Sequence, residues 1–222
     1  MEKQPRESHV DMIMSINPAT DLATRRAAAE WRQGLPTLRG AQVTLRELCS
    51  ADAPSLVAAM TTPEVSRFIS PPPATLDGFE RFIAWAHRER AVGRYVCFAI
   101  VPNGSESAAG VLQLRSLDAD FGSCEWGFAL ASEHWGTGMF TESASLFIDF
   151  AFTVVGAYRL EARAAVRNGR GNGALRKLGA VHECVMRRSL LRNGEYLDQT
   201  LWTLLAEDWM DSKAVWGSDV VH

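Results

Sequence analysis

Apolar and polar positions alternate with a period of two from Ser123 to Leu130. Cys124, Trp126, Phe128 and Leu130 fall on one side, Glu125, Gly127 and Ala129 on the other. That period predicts a strand with one large apolar face and, opposite, a single carboxylate among small residues. After the turn His134-Trp135-Gly136-Thr137-Gly138 the period changes. Phe140, Ala144, Phe147, Ile148, Ala151, Phe152 and Val155 recur at helical spacing, and Leu146, Phe150 and Val154 widen the apolar surface. Only Glu142, Ser145 and Asp149 form a polar line, so this helix is expected to be largely buried.

The same reading orders the rest of the chain. Gln42 to Glu47 alternates like a strand, and Ser50 is placed to cap a helix carrying Ala53, Leu56, Val57 and Met60. A break is expected at Thr62-Pro63, and Pro71-Pro72-Pro73 makes a stiff connection to a second amphipathic helix over 76–90. Tyr95 to Ile100 and Ala109 to Leu114 read as a meander about Asn103-Gly104. Arg159 to Val166 alternates again, and the buried helix before it is the kind of crossover that makes this strand parallel to the Ser123 strand. Asn172 is placed to cap a short helix from Ala174 to Leu178 that stops at Gly179. Asn193-Gly194 then joins Val181 to Arg192 with Glu195 to Leu205 in a hairpin.

These elements predict one α/β (α+β) domain over 35–210, with a mixed, mostly antiparallel sheet flanked by helices. An N-terminal extension over 1–34 carries one short helix running from Asn17 towards Gly34, and 211–222 forms a C-terminal tail. Composition changes this picture little. The chain has 222 residues, 47% hydrophobic, with a net charge of −3, which excludes a general nucleic-acid or anionic-membrane binder. Cys49, Cys97, Cys124 and Cys184 are scattered without Cys-x-x-Cys spacing, which argues against a metal site and for a reducing compartment. With no membrane span and no signal-peptide layout in view, a cytoplasmic location is expected.

The candidate chemistry lies at the glycine turn. The first N–H groups of a helix lack internal partners, and the peptide dipoles add positive charge there, so a strand–Gly-x-Gly–helix junction can cradle a pyrophosphate. A dinucleotide fingerprint is excluded because its third glycine position is Thr141, and no Gly-Lys-Ser/Thr triplet marks a P-loop.

The segment from His134 to Ser143, HWGTGMFTES, resembles the acyl-CoA motif of the GNAT N-acyltransferases, in the branch of the RimJ/RimL-type ribosomal-protein N-terminal acetyltransferases. Asn168 to Ala180, NGRGNGALRKLGA, resembles that branch's Asn-containing loop and short helix. The resemblance implies a GNAT fold whose splayed central strands hold the pantetheine arm. It implies acetyl-CoA as co-substrate, bound by Trp135, Gly136, Thr137, Gly138, Met139, Phe140 and Thr141 at the turn. Strand amides near Phe128 and Leu130, the side chain of Asn168, and Arg170 complete that cofactor set. No metal is implied.

It also implies a reaction: direct acetyl transfer to a primary amine, the N-terminus of a protein before others. Glu125 is then the candidate base, with binding the cationic amine or pairing with an arginine as its competing roles, and His134 a second candidate for proton relay. The helix pair before the meander would border the acceptor, bringing Arg67, Phe68 and Trp85 near it. Two departures stand out: Gly171 occupies the position where relatives carry a serine that protonates the thiolate, and Glu133 stands where a basic or amide residue is usual. A small-molecule acceptor (antibiotic, polyamine or amino acid) and a non-catalytic acyl-CoA-binding domain remain the alternative readings. The exposed edge of the final hairpin offers a surface for a homodimer.

Overall fold

The computed structural model describes residues 30–118 and 121–218, with side chains through 213. Its strands are β1 (Leu38–Arg39), β2 (Val43–Glu47), β3 (Tyr95–Pro102), β4 (Gly110–Ser116), β5 (Ser123–Leu130), β6 (Arg159–Ala165), β7 (Val181–Arg192) and β8 (Glu195–Leu205). The helices are α1 (Ala53–Met60), α2 (Pro63–Ser66), α3 (Leu76–Ala91), α4 (Met139–Phe150), α5 (Gly169–Lys177) and α6 (Ala206–Ser218). All eight strands join one sheet in the order β1-β2-β3-β4-β5-β6-β8-β7. Neighbours are antiparallel except β5 and β6, the pair linked through α4, so the sheet is mixed in the way the crossover predicted.

Each face of the sheet carries its own core. Cys124, Trp126 and Leu130 of β5 pack with Ala144, Phe147 and Ile148 of α4, all three of which are fully buried, and with Trp209 of α6. Phe98 of β3 meets Phe147 and Phe150 edge-on at 6.1 and 5.1 Å. On the opposite face Tyr95, Cys97, Ala99 and Val101 pack with Leu56 of α1 and Phe79 and Ile83 of α3. β5 thus separates the two cores, and its Glu125, Gly127 and Ala129 face the α1–α3 side.

The parallel pairing is short. β5 and β6 are in register only from Ser123↔Arg159 to Glu125↔Glu161. Beyond that point β5 continues beside β4 to Leu130, and β6 continues beside β8 to Ala165. The two central strands therefore part company and leave a wedge-shaped slot.

Several local expectations are corrected. Asn168, not Asn172, caps the helix of the glycine-rich loop: its side chain accepts from the Gly171 amide at 2.9 Å, and α5 begins at Gly169. Asn172 sits within the first turns and ties β6 to β8, donating to the Ala165 carbonyl at 2.9 Å and accepting from the Trp202 indole at 2.8 Å. At the first helix the cap is not Ser50. Asp52 closes the turn by accepting from the Cys49 amide at 2.8 Å, and Arg46 grips its carboxylate at 2.7 and 2.6 Å. Burial opposes the charge on Asp52, but the Arg46 guanidinium and that amide outweigh it and hold the carboxyl below the usual carboxylate range.

The break expected at Thr62-Pro63 is present: α1 stops at Met60, Thr62 is extended, and Pro63 takes the first position of α2, where its missing N–H costs no hydrogen bond. The buried helix is α-helical to Phe150 and closes with a π turn, Ala151–Val155, before Gly156 at φ 84°. The chain expected as a C-terminal tail continues as α6 to Ser218. The helix expected from Asn17 lies outside the described residues. At its end, Trp31 is buried against Phe121 at 5.5 Å.

Candidate active site at the strand splay

The alternation of a strand decides what the slot is made of. The Ala131 amide donates to Ala109 at 2.8 Å and the Ser123 carbonyl accepts from Leu117 at 2.9 Å, both on the β4 side. Register is unbroken between them, so the backbone groups of Phe128 and Leu130 turn the other way, into the gap. On the opposite lip the Val166 amide donates to Asp198 on β8 at 2.9 Å, which turns the backbone of Arg163 and Ala165 towards the gap. The wide end is already closed by hydrogen bonds from one side chain and one backbone amide. The Trp135 indole donates to the Leu130 carbonyl at 2.9 Å, and the Asn168 amide donates to the Ala165 carbonyl at 2.8 Å.

Beyond Leu130 the chain makes the turn that aims a helix at the slot. Gly136 and Gly138 have φ of 80° and 90°, left-handed values at which a side chain is strained, and Gly138 is the N-cap of α4. No atom lies within 4 Å of where a Cβ on Gly136 would be, and Gly136, Thr137 and Gly138 are exposed. Open backbone and the first-turn amides of α4, which have no partner within the helix, suit an anion of phosphate size. Thr137 stiffens the turn, donating to the His134 carbonyl at 2.8 Å and accepting from the Met139 amide at 3.3 Å. Phe140 packs on Phe128 at 4.4 Å, locking the helix start to the strand, while Thr141 lies exposed in the first turn.

Glu142 is a support that the sequence did not reveal. Its carboxylate accepts from the Ala41 amide and, at 3.0 Å, from the Gln42 amide, fastening the β1–β2 turn to α4. A Cβ on Gly40 would lie 2.4 Å from that carboxylate, so a side chain there would displace it from these amides.

The two halves of the cofactor resemblance meet in space. Arg170, at the start of α5, lies over the Trp135 ring at 4.5 Å, a cation–π contact that joins the Asn168 loop to the glycine turn. His134 stands on this side too, 3.8 Å from Glu133. Glu125 does not: it lies five strand positions before Leu130, roughly 16 Å away at the strand rise. The two catalytic candidates are therefore at opposite ends of the slot.

Around Glu125 the structure gathers residues from several elements. Arg115, its partner across β4, ion-pairs with one oxygen, and Arg163 of β6 stands 3.9 Å from the other. Glu161, its partner across β6, is bound by Arg159 at 3.1 Å, which also bonds Glu183 at 3.1 Å. Towards α3 lie Tyr95, whose hydroxyl donates to Gln113 at 2.5 Å, and Trp85, 39% exposed and 4.7 Å from the Tyr95 ring. Burial pushes the Tyr95 phenol far above its ordinary value. Arg67 lies over Phe68 at 5.0 Å, and Arg192 donates to the Ser66 carbonyl at 3.1 Å, which brings the final hairpin to the same side. Arg115 and Gln113 were hidden in an ordinary alternating strand; only register with β5 singles them out.

Cys124 is fully buried on the other face, its thiol donating to Phe121 at 3.3 Å, and burial pushes that thiol up to about 12.

Residues 42–181 match the model of the acetyltransferase (GNAT) domain. The chain belongs to the GNAT acetyltransferase family. Its GNAT relatives include the protein named uncharacterized N-acetyltransferase p20 of Bacillus licheniformis, 25% identical over 176 residues, 79% of this chain and 99% of that one. Among solved structures, RimJ of Mycobacterium smegmatis in complex with CoA-disulfide superposes with a TM-score of 0.69 at 22% identity, over 75% of this chain and 83% of that one. The ribosomal-protein-S5-alanine acetyltransferase of Vibrio fischeri superposes with a TM-score of 0.70 at 20% identity, over 78% and 98%. At those identities the two likenesses concern the fold. The GNAT chain is an acyltransferase, of a family that uses acetyl-CoA. Among the described residues no helix is long and apolar enough to cross a membrane, and no cluster of metal-ligating side chains occurs.

Proposed function

We propose that this GNAT domain moves the acetyl group of acetyl-CoA to a primary amine by direct transfer while both substrates are bound, with the N-terminus of a protein as the acceptor. The observation that carries this reading is the slot itself: strands that part at Glu125, a glycine turn at its wide end and a carboxylate at its narrow end. Acetyl-CoA supplies the acyl group as a thioester, already activated towards an amine. The amides from Gly136 to Thr141 hold its phosphates, and Arg170, beside Trp135, adds a positive charge. The amides of Phe128 and Leu130 hydrogen-bond the thioester oxygen and stabilise the charge that develops there.

Glu125 takes the proton of the incoming amine, directly or through a water, because a protonated amine has no lone pair to attack with. His134 lies beside the phosphate cradle in this reading and contacts the cofactor. Cys124 takes no part: a fully buried thiol whose pKa is pushed up to about 12 offers almost no thiolate near neutral pH. The resemblance of the His134–Ser143 and Asn168–Ala180 segments to the ribosomal-protein N-terminal acetyltransferases supports a protein N-terminus over a free polyamine or antibiotic.

The test is acceptor-dependent thiol release from acetyl-CoA across N-terminal peptides, amino acids, polyamines and aminoglycosides. Release with peptides is the expected result. Release only with a small amine would replace the acceptor, and binding without release would leave an acyl-CoA-binding domain.

A further inference from the structure

Arg163 is a cation for which the reaction above has no use. It lies on β6 two residues past Glu161, the last position paired with β5, so its side chain shares the Glu125 face and stands across the slot from Gly127. Among the described residues its one charged contact is Glu125 at 3.9 Å, and its guanidinium makes no hydrogen bond. Arg115 holds the other oxygen of Glu125 from β4 and is also partly free, its side chain 60% exposed. Glu161 and Glu183 are both held by Arg159, and neither contacts the Arg163 guanidinium. Two guanidiniums thus flank the one carboxylate of Glu125, and that of Arg163 keeps its donors unused on the slot side.

This pair of flanking cations constrains the acceptor. A simple cationic amine moving onto Glu125 would come to rest between two positive charges, which Coulomb repulsion opposes at contact distance. An amine that carries its own carboxylate removes the conflict: the nitrogen goes to Glu125 and the carboxylate to the donors of Arg163, whose fork matches it. We infer that the acceptor, on the acetyl-transfer reading above, is an anionic amine with a carboxylate a few bonds from the reacting nitrogen, bound by Arg163 with help from Arg115. A peptide opening with Asp or Glu and a free α-amino acid share this chemistry. The reaction remains balanced as before. The nitrogen–acetyl bond forms, the thioester C–S bond breaks, the amine proton passes to Glu125, and the thiolate leaves to be protonated by water. Arg163 binds throughout and exchanges no proton.

The experiment compares acid with amide. Steady-state thiol release is measured for peptides opening with Asp or Glu against Asn or Gln, and for free amino acids against their amides. The acid should win in one of the two series by at least about tenfold in kcat/KM, chiefly through KM, the worth of one charge-assisted hydrogen bond. The series in which it wins names the source of the carboxylate. In Arg163→Gln that preference should fall to within roughly threefold of unity, and Arg163→Lys should restore part of it. The CoA-induced rise in melting temperature checks that each variant is folded. If Arg163→Gln does not fold, Arg115→Gln is the replacement, with the same direction expected. Equal rates for acid and amide in the wild type overturn the inference. So does an Arg163→Gln that slows both equally with the preference intact, since the arginine then serves the departing thiolate. No turnover with any acceptor, while CoA still raises the melting temperature, contradicts the acetyl-transfer reading itself.

Discussion

Gly138 offers a way to separate the cost of the turn from the chemistry of the cradle. At φ 90° and ψ −17° it caps α4 in a left-handed conformation. A Cβ there would find only Gln42 Nε2 at 3.5 Å, an ordinary contact, so the space is open and the penalty is one of backbone strain. That strain is worth about 1–2 kcal/mol for a residue with a side chain. In a chain of 222 residues each kcal/mol moves the melting temperature by roughly 2–4 °C, so Gly138→Ala and Gly138→Asp should both melt about 2–8 °C low. Their ligand responses should differ. CoA at about 100 times its dissociation constant stabilises the wild type by about 2.7 kcal/mol, or roughly 5–11 °C. The alanine should keep part of that shift. The aspartate, which sets a negative charge among amides meant for phosphate, should lose it. Thermal melting followed by fluorescence, with and without CoA, reads all six states. A Gly138→Asp protein that is folded and shifts as far as the wild type would show that the phosphates bind elsewhere.

Gly171→Ser places a hydroxyl where the GNAT resemblance leads one to expect it, but here its Cβ would lie 2.6 Å from Asn168 Nδ2 and 3.0 Å from its Cγ. The cap of α5 should loosen, lowering the melting temperature by about 2–4 °C for the loss of about 1 kcal/mol, with no gain in kcat; a faster enzyme at unchanged stability would refute this. Thiol titration of the native protein should count Cys49 and Cys184, which are exposed, and miss the buried Cys97 and Cys124 until denaturant is added. Rapid native labelling of Cys124 would reopen an acyl-cysteine route.

The fold was legible wherever one period ran long enough to decide. The β5–turn–α4 unit and the Asn193-Gly194 hairpin stand where their patterns put them, with Asn193 and Gly194 at φ 50° and 80°. Caps were less legible, because several nearby polar residues compete for each helix start. Ser50 and Asn172 looked suitable, but Asp52 could bind Arg46 and Asn168 was one turn nearer the true start. The cofactor side was readable because it is built mainly from consecutive backbone. The acceptor side was not, since Arg115, Glu125 and Arg163 come from three strands that only the sheet order brings together. The splay itself is a failure of pairing after three residue pairs, and no local pattern in either strand marks where pairing ends.

The account rests on Glu125 accepting the amine proton at the narrow end of the slot, and Glu125→Gln tests that most directly. The amide keeps the shape of the carboxylate but cannot accept the proton, and it leaves Arg115 and Arg163 in place. Turnover of acetyl-CoA with a saturating amine acceptor should fall by about 100-fold or more, with the affinity for CoA unchanged. The defect should shrink as pH rises, because the acceptor then arrives already deprotonated. A loss confined to the acceptor KM would make Glu125 a binding group for the amine. Wild-type turnover with a wild-type pH profile would contradict the account outright.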